Sequence, residues 1–445
     1  MKWIKRILLL LVILIGYLYV SQVPKLNIIS GYASKYVATS VYYAEHQLEH
    51  INAYENDAPL IRLASTTIDP DHLSAEANVY GLINRKAVYK KGVGSLLIQE
   101  EPAELAQLLP AHRNLNTSTL PYPFGQGTAI DTVLASVDYR ALNNAISTAF
   151  ENNEVQRTRS VLVLYKGYLL AERYADRYTK DTPILGWSMT KSILCTLYGV
   201  LEYQGKLSVK DVLSFETWKN DERSSITIDQ LLRMQSGLAW DEDYSGISDV
   251  TKMLFLSKDM GEVQVQKEMI AQPTEVWNYS SGTTNLLSKQ LKTYFNTQQA
   301  YIDFMYSSFA DQIGMNSLLV EQDGSGTYVA SSYGWASTRD WGRFGQLYLQ
   351  RGMWNQTRLF DDSWVDYITT PTAHSNKEYG AHFWLNAGSV YPNVPMDLFS
   401  ANGHDGQFVY VIPSKELVIV RTGLSEGAVY NADLLLSGII NSITD

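Results

Sequence analysis

Gly186-Trp187-Ser188-Met189-Thr190-Lys191-Ser192 is the stretch that decides how this chain is read. A serine hydroxyl is a poor nucleophile at neutral pH and needs an adjacent base. If Ser188 opens a helix, Lys191 lies one turn on and on the same face. Its amine, once deprotonated, can take the Ser188 proton. Ile193, Leu194, Leu197 and Val200 follow at helical spacing and predict a buried helix. A serine at a helix N-terminus also gains from the dipole, which favours a developing oxyanion. Ser188 is the only serine in the chain with lysine at this spacing.

Two later stretches complete a constellation. In Trp277-Asn278-Tyr279-Ser280-Ser281-Gly282, a tyrosine near a lysine can exchange protons with a leaving group. Gly403-His404-Asp405-Gly406-Gln407 reads as a turn opening a strand, where glycine lets backbone approach a ligand closely. The amide of Gln407 can then join that of Ser188 in polarising a carbonyl. Trp240 and Tyr244, just after Ser236-Gly237-Leu238, are candidate pocket residues.

Periodicity around these motifs predicts an α+β architecture. Ser160–Tyr165 and Tyr168–Tyr174 read as a hairpin turning at Lys166-Gly167. Gly380–Leu385, Gln407–Ile412 and Leu417–Thr422 read as strands, with helices at Tyr139–Asn152, Arg339–Arg351 and Asn431–Ile443. Strands at both ends with helices between imply one antiparallel sheet, flanked by helices, with a mostly helical inserted subdomain. Further upstream, Tyr36–Ile51 reads as a helix and Ala75–Ile98 as a small antiparallel strand set turning at Lys91-Gly92 and Gly94. Pro102, Pro110, Pro121 and Pro123 suggest a linker. The expected organisation is therefore 1–22 as a membrane segment, 23–129 as an extension with a small β element and linker, and 130–445 as the main domain.

The N-terminus carries a targeting signal. Lys2, Lys5 and Arg6 precede an apolar run from Ile7 to Val20, about 21 Å of helix. By length this suits a secretory signal; Trp3-Ile4 lengthens it towards a span, and Tyr17 and Tyr19 suit a membrane interface. Ser21-Gln22-Val23-Pro24 offers no prompt small-x-small cleavage site, which favours an anchor. Either way the positive flank stays inside and the remaining chain is exported. With 45% hydrophobic and 18% charged residues, the 445-residue chain is globular, and its net charge of −10 argues against nucleic acid as a partner. Cys195 is the sole cysteine, so no intrachain disulfide forms. His46-Gln47-Leu48-Glu49-His50 matches a zinc pattern without an evident third ligand and reads as a solvated helix face, so neither a metal nor a cofactor is expected.

Together the three motifs, with Leu231-Leu232-Arg233-Met234-Gln235-Ser236-Gly237-Leu238 and Arg339-Asp340-Trp341, resemble the penicillin-recognising serine hydrolases. That family includes class C β-lactamases, D-alanyl-D-alanine carboxypeptidases, related esterases and 6-aminohexanoate-dimer hydrolase. The resemblance covers residues 130–445. It implies Ser188 as the acylated nucleophile, Lys191 as its base, Tyr279 as proton donor and acceptor, and the Ser188 and Gln407 amides as an oxyanion hole. His404 and Gly406 would form the third motif. Ser281 stands where class C β-lactamases carry asparagine, and His404 where they carry lysine. The lost charge weakens the case for a substrate carboxylate and points to an ester or neutral amide. The alternatives are a carboxypeptidase or β-lactamase and, in another class, a non-catalytic envelope binding protein on the same fold.

Overall fold

The apolar residues after Met1 form the first part of one long helix, α1 (Lys2–Tyr42), in a computed structural model that describes residues 2–98, 103–425 and 429–444. The chain divides into two units. One comprises Met1–Leu108, Trp240–Met260 and Gln322–Ser325; the other comprises Leu109–Ala239, Gly261–Glu321 and Gly326–Asp445.

In the first unit α1 changes character along its length. Its described side chains from Trp3 to Val20 are exposed, whereas Ile28, Ile29, Ala33, Val37 and Ala38 are buried. The second half lies on an antiparallel sheet of β1 (Ala64–Asp69), β2 (Ser74–Val79), β3 (Ile83–Lys90) and β4 (Gly94–Ile98), in that order. Ala75, Ala77 and Val79 alternate towards the buried face, as a half-buried strand requires. Thr39 Oγ1 lies 2.7 Å from Ser95 Oγ, and the Tyr42 hydroxyl donates to the Ser74 carbonyl at 3.1 Å.

The helix expected at Tyr36–Ile51 differs. Its start belongs to α1, which passes through Pro24, and short turns at Leu48–His50 and Ile51–Glu55 follow. Proline removes one helical hydrogen bond; burial of the segment beyond it compensates. β1 was not anticipated, because Ser65-Thr66-Thr67 gives its alternation little hydrophobic contrast.

The second unit begins with α2 (Tyr139–Thr148), capped by the Asp138 carboxylate, then β5 (Thr158–Tyr165), β6 (Tyr168–Tyr174) and β7 (Pro183–Leu185). Next come α3 (Met189–Tyr203), α4 (Ser281–Lys292), β8 (Leu319–Val320), β9 (Gly334–Ser337) and α5 (Thr338–Leu349). It ends with β10 (Trp384–Leu385), β11 (Phe399–Gly403), β12 (Gln407–Ile412), β13 (Leu417–Gly423) and α6 (Ala432–Asn441). Six strands pair antiparallel in the order β10-β11-β12-β13-β5-β6, and β7-β9-β8 form a smaller sheet.

β13 pairs with β5 through Leu417 with Tyr165 and Val420 with Leu162, so the two ends of the unit close one sheet. Both faces are covered, which is why these strands read as nearly continuous apolar runs. Leu162, Leu164, Val409, Val418 and Val420 join one core with α3 and α5. Val161, Val163, Tyr410, Leu417 and Ile419 join another with α2 and α6.

Two strand expectations are refined. Gly380–Leu385 contributes only β10, because His382 turns at φ 55° and its N–H donates to the Leu232 carbonyl at 3.0 Å. β11 was missed, its pattern obscured by Ser400 and Asn402. In the proline-rich stretch, Arg113 pairs with Asp311 at 2.7 Å and the Tyr122 hydroxyl donates to the Arg339 carbonyl at 2.9 Å.

Candidate active site

The start of α3 is fixed by backbone packing. The Gly186 N–H donates to the Gly334 carbonyl at 2.7 Å, and the Gly334 N–H donates to Thr190 Oγ1 at 2.9 Å. A Cβ on Gly403 would lie 2.1 Å from the Gly186 carbonyl oxygen, so glycine alone lets β11 approach this closely. Trp187 sits at φ 48°, in the left-handed region that bulky residues avoid. Ser188 follows it half-buried, while Met189 to Leu201 are buried.

Lys191 is only 1% exposed. Its Nζ donates to Ser188 Oγ at 3.0 Å, Ser281 Oγ at 3.0 Å and the Ser331 carbonyl at 2.9 Å. An ammonium has three donors, and each finds an acceptor here, as burial of such a group demands. Nζ also lies 4.9 Å from the Tyr279 ring centroid. Ser281 opens α4, whose cap Ser280 accepts from the Thr283 N–H at 2.9 Å. The Tyr279 ring packs on Trp384 at 5.4 Å and Tyr379 at 5.9 Å, and Trp277 packs on both of those rings.

On another side, His404 meets Trp187 edge-on at 5.8 Å, which brings the 404–406 turn next to Ser188. Its Nε2 lies 3.1 Å from Asp405 Oδ1. Gln407 opens β12 opposite Gly403, and its side-chain amide donates to the His404 carbonyl at 3.0 Å and the Gly423 carbonyl at 2.6 Å. The buried guanidinium of Arg421 donates to the Gly406 carbonyl at 2.8 Å. A cavity of about 200 Å³ adjoins the turn, lined by His404, Asp405, Gly406, Phe408, Ser425 and Tyr430.

Of the residues expected from sequence, Ser188, Lys191 and Tyr279 lie in one neighbourhood, with His404 one aromatic contact away through Trp187. Trp240 and Tyr244 belong to the other unit, where the Trp240 indole and the Tyr244 hydroxyl both donate to Glu242. His46 Nδ1 is 3.0 Å from Glu55, and among the described residues no group of three or more His, Cys, Asp or Glu could hold a metal ion.

Sequence reasoning named Ser281 in the tyrosine motif without its contact to Lys191, and it missed Ser331 and His382. The His382 ring is buried, with Nδ1 2.7 Å from the Leu232 carbonyl and Nε2 3.0 Å from Thr284 Oγ1. Burial chiefly, with the Lys191 charge adding, pushes its pKa from 6.5 down to about 3, against the opposing Leu232 carbonyl. The unfolded chain therefore binds a proton between pH 6.5 and 3 that the native state refuses, so this residue lowers stability as pH falls through that window. At about 1.4 kcal/mol per unit, the full effect is on the order of 5 kcal/mol. Acid unfolding of His382→Gln, followed by circular dichroism, should show a shallower fall over this window than the parent. An equal slope would assign acid sensitivity to other groups.

The family model described as Beta-lactamase matches residues 150–429. The chain belongs to the β-lactamase family. Among solved structures it is similar to a protein assigned as a 6-aminohexanoate-dimer hydrolase from Bacillus anthracis, with 19% identity and a TM-score of 0.58 over 77% of this chain and 93% of that one. A family VIII carboxylesterase gives 13% identity and a TM-score of 0.57 over 71% of this chain and 100% of that one. A penicillin-binding protein homologue from Caulobacter crescentus gives 13% and 0.55, over 71% and 100%. A search of curated proteins finds no match. At these identities the neighbours establish a β-lactamase-like hydrolase fold.

Proposed function

We propose that this β-lactamase family member is a serine hydrolase that cleaves a small amide or ester through an acyl-enzyme. The observation that carries the reading is the 3.0 Å hydrogen bond from Lys191 Nζ to the half-buried Ser188 Oγ. The reactive form is the neutral amine, in which the Ser188 hydroxyl donates to Lys191 Nζ across the same contact; Lys191 takes that proton as Ser188 attacks the substrate carbonyl. The Ser188 and Gln407 amides hold the oxyanion, each such donor contributing roughly 3–4 kcal/mol to the barrier. Tyr279 protonates the departing amine or alkoxide and then activates water, which frees the acid and restores Ser188. Ser281 takes the place of the family's asparagine as a partner of Lys191. α1 tethers the enzyme to a membrane, with the catalytic unit on the exported side.

His404 in place of lysine, the Asp405 carboxylate beside it, and structural neighbours described as a 6-aminohexanoate-dimer hydrolase and a carboxylesterase all favour neutral amides and esters over β-lactams. Purified protein should turn over short p-nitrophenyl esters at least about tenfold faster, in kcat/KM, than a chromogenic cephalosporin or a D-Ala-D-Ala peptide. The reverse order would favour the β-lactamase or carboxypeptidase reading. Absence of turnover on all three, with no acyl adduct on Ser188 by mass spectrometry, would favour a binding protein.

A further inference from the structure

Resting on the reading of α1 as a membrane span, we propose that the β2–β3 hairpin tip, Tyr80-Gly81-Leu82, is a second membrane contact that inserts into the lipid headgroup layer. Tyr80 is 73% exposed and Leu82 69%, the most exposed large apolar side chains of their unit outside α1 among the described residues. The turn is tight: Tyr80 and Gly81 have φ of 54° and 71°, Val79 pairs with Ile83, and the Gly81 N–H donates to Asn78 Oδ1 at 2.9 Å. The pair is therefore presented on a firm backbone.

Hydrogen bonds to α1 fix which way the tip points. The Ser30 hydroxyl donates to the Ile83 carbonyl at 2.9 Å, at the tip end of β3. At the far end, Ser74 pairs with Val88 and its carbonyl accepts from Tyr42. β3 thus runs in the same direction as α1, and the tip faces the exposed apolar half of the helix.

The distances agree. A hydrocarbon core of about 30 Å takes roughly 20 helical residues, which counted from Ile7, past Lys5 and Arg6, end near Leu26. Ser30 then lies about 6 Å beyond the core edge. The loop outside the Val79–Ile83 pair reaches back by roughly 5 Å, placing Tyr80 and Leu82 about 1 Å from the core, where it meets the headgroups. Tyrosine is favoured at that boundary. Ala64 pairs with Val79, so exposed Arg62 and Leu63 come to the same end and add a cation and a further apolar side chain. The surface is continuous with the α1 span, and its occupant is the bilayer.

Labelling tests this on the full chain reconstituted in phosphatidylcholine vesicles. Cys195 is buried, and burial pushes its thiol up, so single cysteines can be labelled in a Cys195→Ala background with an environment-sensitive fluorophore. The positions are Leu82→Cys at the tip, Val12→Cys in α1 and Leu73→Cys at the opposite end of β2. With acyl chains brominated near the headgroup, the label at 82 should lose roughly half its emission, while the label at 73 loses none. Strong quenching at 12 with none at 82 would overturn the hairpin contact and leave the span intact. No quenching at 12 would overturn the span and the hairpin proposal with it. A label at 82 shielded from aqueous iodide yet blind to brominated lipid would show a protein partner and also overturn the proposal.

Discussion

Ser188→Ala is expected to lower kcat for ester hydrolysis by on the order of 10⁴-fold or more, with KM little changed. The loss is large because the covalent step is removed outright and Ser281, the other hydroxyl on Lys191, is fully buried. Lys191→Met is expected to lower kcat/KM by roughly 10²–10⁴-fold, the usual range for a positioned general base. Methionine keeps the shape of the lysine stem but lacks Nζ, which removes the bonds to Ser281 Oγ and the Ser331 carbonyl. If Lys191 served only packing, its loss would lower the melting temperature and spare the rate of molecules that remain folded. Measuring both separates the cases, since the proposed chemistry requires the rate to collapse at temperatures where the variant is still native.

Gly403→Ala should have the next largest effect. One methyl group placed 2.1 Å from the Gly186 carbonyl forces β11 away from the start of α3. The segment cannot yield on its other side, because a Cβ on Gly186 would itself meet Trp341 at 2.5 Å. The 404–406 turn and the Gln407 amide would move with β11. Removing one oxyanion donor costs about 10²–10³ in kcat, and overpacking costs about 1–3 kcal/mol in stability. A fall in kcat well beyond tenfold with KM within a few-fold would support the proposed hole. An unchanged kcat would place the oxyanion donors elsewhere.

Much of this geometry is written in local patterns. The apolar face of α3 and the glycine-bounded turn at 404–406 are short-range signals, so they were legible at Ser188 and His404. The closure of β13 on β5 was legible because continuous apolar runs at both ends of the unit require covering on both faces. What was not legible depends on distant contacts. Ser281 and Ser331 become partners of Lys191 only because α4 and the segment before β9 converge on α3, and nothing in either local sequence marks this. His382 reads as part of a strand until the Leu232 carbonyl pulls its backbone out of the sheet. Pro24 and polar Ser34 and Thr39 hide the continuation of α1, which burial against the four-stranded sheet secures.

Acylation at Ser188 requires that Lys191 make it a nucleophile. Incubation of the full chain with a fluorophosphonate, followed by peptide mapping, measures that directly. The prediction is one adduct, on Ser188, formed in the parent and slowed by at least about 10²-fold in a folded Lys191→Met variant. A folded parent that leaves Ser188 unmodified, or a Lys191→Met variant that labels at the parent rate, would contradict it.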